Sequence, residues 1–104
     1  MEQTTAGNLS VDIGRYKAEC QGKSLDLTTT EFKLLATLVR TPGRVFSRAQ
    51  LLDTVQGIDY EGYERTIDAH IKNIRQKIEP DTRHPIFIQT VYGVGYRFAG
   101  RPDA

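Results

Sequence analysis

The sequence predicts an α+β domain: an N-terminal antiparallel sheet, three helices and a C-terminal β-hairpin. The apolar residues alternate with a period of two from Leu9, switch to helical spacing after Leu27, and return to a β-rich run after Pro80. Two complete helix-start signals stand close together, at Thr28 and Ser47. A glycine-rich turn, Tyr92-Gly93-Val94-Gly95, joins two short β-rich segments near the C-terminus.

Residues 1–8 are small and polar and read as a tail or the end of a linker. Leu9, Val11 and Ile13 share one face of a first strand, which Gly14-Arg15 breaks. Tyr16, Ala18 and Cys20 alternate with Lys17, Glu19 and Gln21 in a second. Gln21-Gly22-Lys23-Ser24 reads as a turn and Leu25-Asp26-Leu27 as a third strand, giving a small meander with one apolar face. Thr28-x-x-Glu31 is a capping box: the threonine oxygen accepts an amide of the first turn and the glutamate reaches back. Leu27 and Phe32 occupy the positions of a hydrophobic staple, and Phe32, Leu35, Leu38 and Val39 make the apolar stripe of the first helix. Thr41-Pro42-Gly43 ends it. Ser47-x-x-Gln50 is a second capping box, with Phe46 and Leu51 as its staple, and this helix runs to about Gln56 with Leu51, Leu52 and Val55 inward. After a loop at 57–63, a third helix extends from about Glu64 to Glu79 and stops at Pro80, without an obvious first-turn cap. The β-rich run from Ile86 to Val91, the glycine turn and Tyr96-Arg97-Phe98 complete a domain spanning 9–99, with 100–104 a C-terminal tail.

The length of 104 residues suits one domain. With 14 basic and 13 acidic side chains, the net charge of +1 excludes a polycation that coats nucleic acid indiscriminately and leaves room for a local basic face. The single cysteine excludes an internal disulfide and a cysteine-based zinc cage. No apolar run approaches the ~20 residues of a membrane span, and the polar start Met1-Glu2-Gln3-Thr4-Thr5 is not a signal peptide. The expected setting is a reducing, cytoplasmic compartment with no membrane partner, in which Asn8-Leu9-Ser10 is a coincidental glycosylation pattern.

The third helix carries the functional signal. At about 100° per residue, Ile67, Ile71, Ile74 and Ile78 fall within a wedge of roughly 40° that must face the core. Nearly opposite lie Arg65, Ala69, Lys72, Asn73 and Gln76. Thr66, His70 and Lys77 flank them on one side, and Asp68, Arg75 and Glu79 on the other. Cations and amides around a small alanine are the groups that read base edges in the major groove: Arg or Lys pairs with guanine, Asn or Gln with adenine, and an alanine methyl suits a thymine methyl. From Arg65 to Lys77 four cations face one acid, Asp68, a local charge of about +3. The bland alternative is a solvated face held by ion pairs such as Asp68 with Lys72. A short capped helix before this one suits a helix-turn-helix, and the glycine hairpin after it suits a β wing, so the whole reads as a winged helix that binds duplex DNA.

Four segments carry a resemblance to a known family: Thr28-Thr29-Thr30-Glu31-Phe32, Val45-Phe46-Ser47-Arg48, Arg65-Thr66-Ile67-Asp68-Ala69-His70-Ile71, and Gln89 to Phe98. Over residues 9–99 the chain resembles the C-terminal effector domain of OmpR/PhoB-type response regulators. The resemblance implies a winged helix with a four-stranded N-terminal sheet, its fourth strand around Val45-Phe46. It implies sequence-specific DNA binding as the output of a two-component system, with no cofactor. Arg65, Thr66, His70, Lys72 and Asn73 then lie on the recognition helix, with Ala69 and Gln76 on the same face. Arg48 matches a phosphate contact at the start of the preceding helix and Thr90 one on the wing, and Arg97 is added to them as a further backbone contact. Tyr92 stands where some members place an arginine in the minor groove. Asp59, Tyr60, Glu61 and Tyr63 fall in the loop that the family offers to RNA polymerase. The chain is too short to hold the family's phosphorylation-receiving domain as well, which promotes tandem dimers on repeated half-sites.

Other signals are set aside. Gly22-Lys23-Ser24 lacks the earlier glycine of a phosphate loop, since Lys17 stands there, and Phe98 replaces the last glycine of a dinucleotide fingerprint begun by Gly93-Val94-Gly95. His70 and His84 have no partners at metal spacing, His84 reads as a loop residue, and Cys20 reads as a buried structural thiol. An enzyme using Asp59, Glu61 or Glu64 has neither pocket nor cofactor motif behind it. The rival with more substance is a winged-helix protein-interaction module, against which the basic face argues, because protein interfaces are depleted in lysine.

Overall fold

The computed structural model describes residues 3–55 and 63–99. In chain order the elements are β1 (Gln3–Ala6), β2 (Leu9–Asp12), β3 (Lys17–Cys20), β4 (Lys23–Ser24), α1 (Thr29–Arg40), β5 (Val45–Ser47), α2 (Arg48–Val55), α3 (Glu64–Ile78), β6 (Ile88–Val91) and β7 (Gly95–Phe98). Strands β1 to β4 form an antiparallel sheet in sequence order, and β5, β7 and β6 form a second antiparallel sheet in that order. The three helices pack on one another, and α1 also touches β7. The core takes Leu9, Val11 and Ala18 from the first sheet, Leu34, Leu35 and Leu38 from α1, and Phe46, Ile88 and Phe98 from the second.

Both capping boxes form. Glu31 N donates to Thr28 Oγ1 at 3.1 Å and Thr28 N to Glu31 Oε1 at 3.0 Å. Gln50 N donates to Ser47 Oγ at 3.1 Å and Ser47 N to Gln50 Oε1 at 2.9 Å, so the last residue of β5 caps α2. The described part of α2 ends at Val55, and Gln56 lies outside the described residues.

Three features of the sheets differ from the sequence expectation. The segment read as a tail contains β1: Thr4 stands opposite Val11 and Ala6 opposite Leu9, with Ala6 buried. Its polar residues conceal it because an edge strand is placed by its backbone ladder more than by its side chains. Secondly, the turn after β3 takes two residues instead of four. Gln21 and Gly22 both adopt positive φ (55° and 77°), the geometry of a type I′ hairpin, so β4 begins at Lys23. Leu25 to Leu27 is then no strand. Leu25 N still donates to Ala18 O at 2.8 Å, after which the chain leaves the sheet and Asp26 O accepts from Lys77 Nζ at 2.7 Å. Thirdly, Val45-Phe46 does not supply the fourth strand of the N-terminal sheet, because β1 does. Instead β5 pairs with β7, Phe46 opposite Tyr96 and Ser47 opposite Gly95. A methyl group at Gly95 would collide with the Phe46 carbonyl, so the approach of β5 requires glycine there.

Two carboxylates lock α3 at its C-terminal end. Glu79, expected on the outer flank of the helix, is buried at its C-cap. Its Oε1 accepts from Ile86 N at 2.8 Å, its Oε2 from Ile88 N at 2.8 Å, and both from Phe87 N at 3.1 Å. One side chain therefore satisfies three amides on the entry to β6. Lys77 turns toward α1, where its ammonium donates to the buried Glu31 carboxylate at 2.7 Å. Burial works to raise the Glu31 pKa, but the Lys77 ammonium, the Thr28 amide and the nearby His70 outweigh it and hold the carboxyl below its ordinary value.

Glu79→Ala leaves those amides without an acceptor and is expected to cost about 3 kcal/mol in urea denaturation, whereas a loss under about 1 kcal/mol would show that water reaches them. Because the folded-state pKa of Glu31 is lowered, its stabilisation is present above the unfolded value of about 4.3 and is lost as pH falls through the folded one. The stability gap between the native chain and Glu31→Gln should therefore narrow from about pH 5 downward; a gap constant with pH would contradict this.

Candidate nucleic-acid interface

The rotation of α3 about its axis is set by Ile67, Ile71 and Ile74 at 0% exposure and Ile78 at 2%. The opposite face presents Arg65, Ala69, Lys72, Asn73 and Gln76 to solvent, with Thr66 and His70 half-buried beside them. The helix begins without a side-chain cap. Tyr63 is the N-cap residue, and its carbonyl accepts from Thr66 N at 2.8 Å and from Thr66 Oγ1 at 2.6 Å. The Arg65 guanidinium lies over the exposed Tyr63 ring, 5.8 Å from its centroid.

The cations of α3 divide differently from the count along the sequence. Lys77 is turned inward to Glu31. Arg75 donates Nε and Nη2 to Ile88 O at 3.2 and 2.9 Å, and Nη2 also to Thr90 Oγ1 at 2.8 Å, while its guanidinium rests 5.5 Å from the centre of the Tyr96 ring. Arg65 and Lys72 remain outward. Asp68 takes partners other than the Lys72 of the bland alternative: its Oδ2 accepts from Arg48 Nη1 at 3.0 Å and its Oδ1 from Tyr96 Oη at 2.6 Å. Burial, followed by this anionic acceptor, pushes the Tyr96 hydroxyl up to about 12.

Asp68, Arg75 and Glu79 are thus the side of α3 that grips the C-terminal hairpin. On the helical wheel they lie beside the polar face, with nothing local to mark a partner. Their i, i+7, i+11 spacing, one line along the helix, was the available signal that a third face has a partner.

The wing turn carries Tyr92 at its tip, 91% exposed, and Val94 beside it. Gly93 takes φ 80° and Val94 N closes the turn onto Val91 O at 2.9 Å. Arg97 is exposed and donates Nε to Gln89 Oε1 at 3.1 Å. Arg48, Asp68, Thr90 and the wing residues Val91 to Tyr96 line a polar cleft of about 370 Å³. Of the three residues expected to contact the DNA backbone, Arg48 on α2 and Thr90 on β6 therefore share a single opening, and Arg97 lies outside it. Of the expected polymerase-contact residues, Tyr63 is exposed at the start of α3, and Asp59, Tyr60 and Glu61 lie outside the described residues.

Among the described residues no three His, Cys, Asp or Glu side chains gather as metal ligands, and no helix is long and apolar enough to cross a membrane. Cys20 is half-buried with its Sγ 3.7 Å from Ile78 O, and burial, then the charge of Glu79, raises its pKa. His84 is an exposed loop residue 3.1 Å from Asp81.

Residues 22–98 match the family model described as transcriptional regulatory protein, C terminal. The transcriptional regulatory protein BaeR of Escherichia coli is 48% identical over 101 residues, which cover 93% of this chain and 40% of BaeR. The chain thus spans less than half the length of that relative. The response regulator DrrB of Thermotoga maritima, an OmpR/PhoB homologue, superposes with a TM-score of 0.86 at 35% identity, covering 94% of this chain and 44% of DrrB. The DNA-binding domain of Klebsiella pneumoniae RstA, crystallised in complex with the RstA box, superposes with a TM-score of 0.82 at 28% identity, covering 98% of this chain and 99% of that domain.

Proposed function

The chain belongs to the family of C-terminal domains of transcriptional regulatory proteins of the OmpR/PhoB type, and on that premise we propose that it is the DNA-binding output domain of a two-component response regulator. The work of such a domain is sequence-specific binding of double-stranded DNA to control transcription, and it needs no catalytic group. The observation that carries this reading is the outward face of α3: buried isoleucines leave Arg65, Ala69, Lys72, Asn73 and Gln76 facing solvent on a winged helix.

In this reading α3 lies in the major groove. Arg65 and Lys72 pair with guanine O6 and N7, Asn73 and Gln76 with adenine N6 and N7, and Ala69 permits close approach. The Thr66 hydroxyl already donates to Tyr63 O, so toward DNA it serves as an acceptor, suited to an exocyclic amine. His70 flanks the same face. Arg48, Thr90 and Arg97 fix the register on the phosphate backbone, while Tyr92 follows the adjacent minor groove. The loop bearing Asp59, Tyr60, Glu61 and Tyr63 meets RNA polymerase, an acidic and aromatic mixture that suits a protein contact and repels DNA. The longer regulator works in the cytoplasm as a tandem dimer on repeated half-sites. The DNA-binding unit comprises the expected 9–99 together with β1, which pairs with β2.

Affinity for a duplex selected from a random pool, followed by fluorescence anisotropy, should fall steeply between 50 and 200 mM salt, by about tenfold or more for each few phosphates contacted. Arg65→Ala should cost about 1–3 kcal/mol on the selected site and much less on random duplex. A flat salt response, or equal binding by the variant, would contradict the assignment, and a stable protein complex in place of duplex binding would favour an interaction module.

A further inference from the structure

We propose that Asp68 is a built-in competitor of the DNA backbone: its carboxylate holds the Arg48 guanidinium in the free domain and gives it up to a phosphate that enters the cleft beneath the wing. The proposal deepens the DNA-binding reading and rests on it.

The Arg48–Asp68 pair is built to open. Both side chains are 45% exposed, and only Nη1 of Arg48 engages Asp68, at 3.0 Å, in place of the two-pronged contact that makes Arg–carboxylate pairs strong. Asp68 would stay in place when Arg48 leaves, because Tyr96 Oη still donates to its other oxygen at 2.6 Å and Tyr96 is itself buried. The exchange therefore breaks one exposed contact and disturbs no buried one.

The cleft also holds a second donor ready for an anion. Arg75 Nη2 donates into Thr90 Oγ1 at 2.8 Å, which commits that oxygen as an acceptor and leaves the hydroxyl proton to point elsewhere. Arg48 and Thr90 line the same opening, so a phosphate seated between them meets a hydroxyl proton and a guanidinium, with Asp68 as the rival anion beside it.

The test is a double-mutant cycle on the whole chain with Asp68→Asn, Arg48→Ala and both together, binding a selected duplex over a salt series. Asparagine keeps an oxygen for Tyr96 and releases Arg48, so Asp68→Asn should tighten binding about two- to fivefold, the range expected from releasing one exposed ion pair. That gain should vanish in the Arg48→Ala background. Arg48→Ala alone should reduce the slope of log affinity against log salt by about 0.9, one phosphate contact. Weaker binding by Asp68→Asn would show that the carboxylate positions Arg48 and does not compete for it, and would overturn the proposal. An unchanged salt slope in Arg48→Ala would overturn it too, since Arg48 would then stay on Asp68 in the complex. The Arg48 site is exposed, so this second arm can still overturn the proposal where Asp68→Asn fails to fold. Salt-independent or absent binding by the native chain would instead sink the DNA-binding reading itself.

Discussion

Every functional feature of the molecule depends on how α3 is rotated about its axis, and burial of Ile67, Ile71, Ile74 and Ile78 fixes that rotation. Fully burying an isoleucine side chain is worth about 1.5–3 kcal/mol, so the stripe contributes several kcal/mol to one orientation. Turning the helix by a single residue, about 100°, would bring polar positions toward the core and expose isoleucine. A cation left in the core without a partner would cost more than any surface contact returns. The side that faces water is thus settled by the side that cannot.

A second line along the same helix fixes the wing relative to it. Asp68 holds Tyr96, Arg75 holds the Ile88 carbonyl and the Thr90 hydroxyl, and Glu79 takes the amides of Ile86 to Ile88. From below, β5 pairs with β7 and its last residue caps α2. α3, α2 and the C-terminal hairpin are therefore joined by polar contacts on top of a shared core. In the proposed DNA-binding reading such ties matter, since a small misplacement of one element would spoil several contacts together.

Much of this is legible in the residues. The capping boxes at Thr28 and Ser47 and the isoleucine stripe are local patterns, each written within a few residues, and the structure forms all of them. What escaped notice is non-local. β1 has only Ala6 as an apolar anchor and owes its place to pairing with β2. β5 looks like a connection until β7 lies beside it, forty-eight to fifty-two residues on in the register Val45–Arg97 to Ser47–Gly95. Arg75, Lys77 and Glu79 resemble solvated charges because their partners, Ile88, Glu31 and the amides before β6, come from other elements. A helical wheel separates apolar from polar and cannot separate polar groups bound to protein from polar groups left for a ligand. The interface is accordingly less cationic on α3 than the sequence count suggests, with Arg65 and Lys72 its outward charges.

The central claim is that the side of α3 opposite the isoleucines is the surface that meets DNA. Nuclear magnetic resonance mapping of the isotope-labelled chain, titrated with a duplex selected from a random pool, tests it most directly. The side-chain amide signals of Asn73 and Gln76 should shift and saturate together with backbone signals around Arg65, Lys72 and Tyr92, while β1 to β4 stay unmoved. Saturable shifts centred on the N-terminal sheet or on α1, with Asn73 and Gln76 unchanged, would contradict the account.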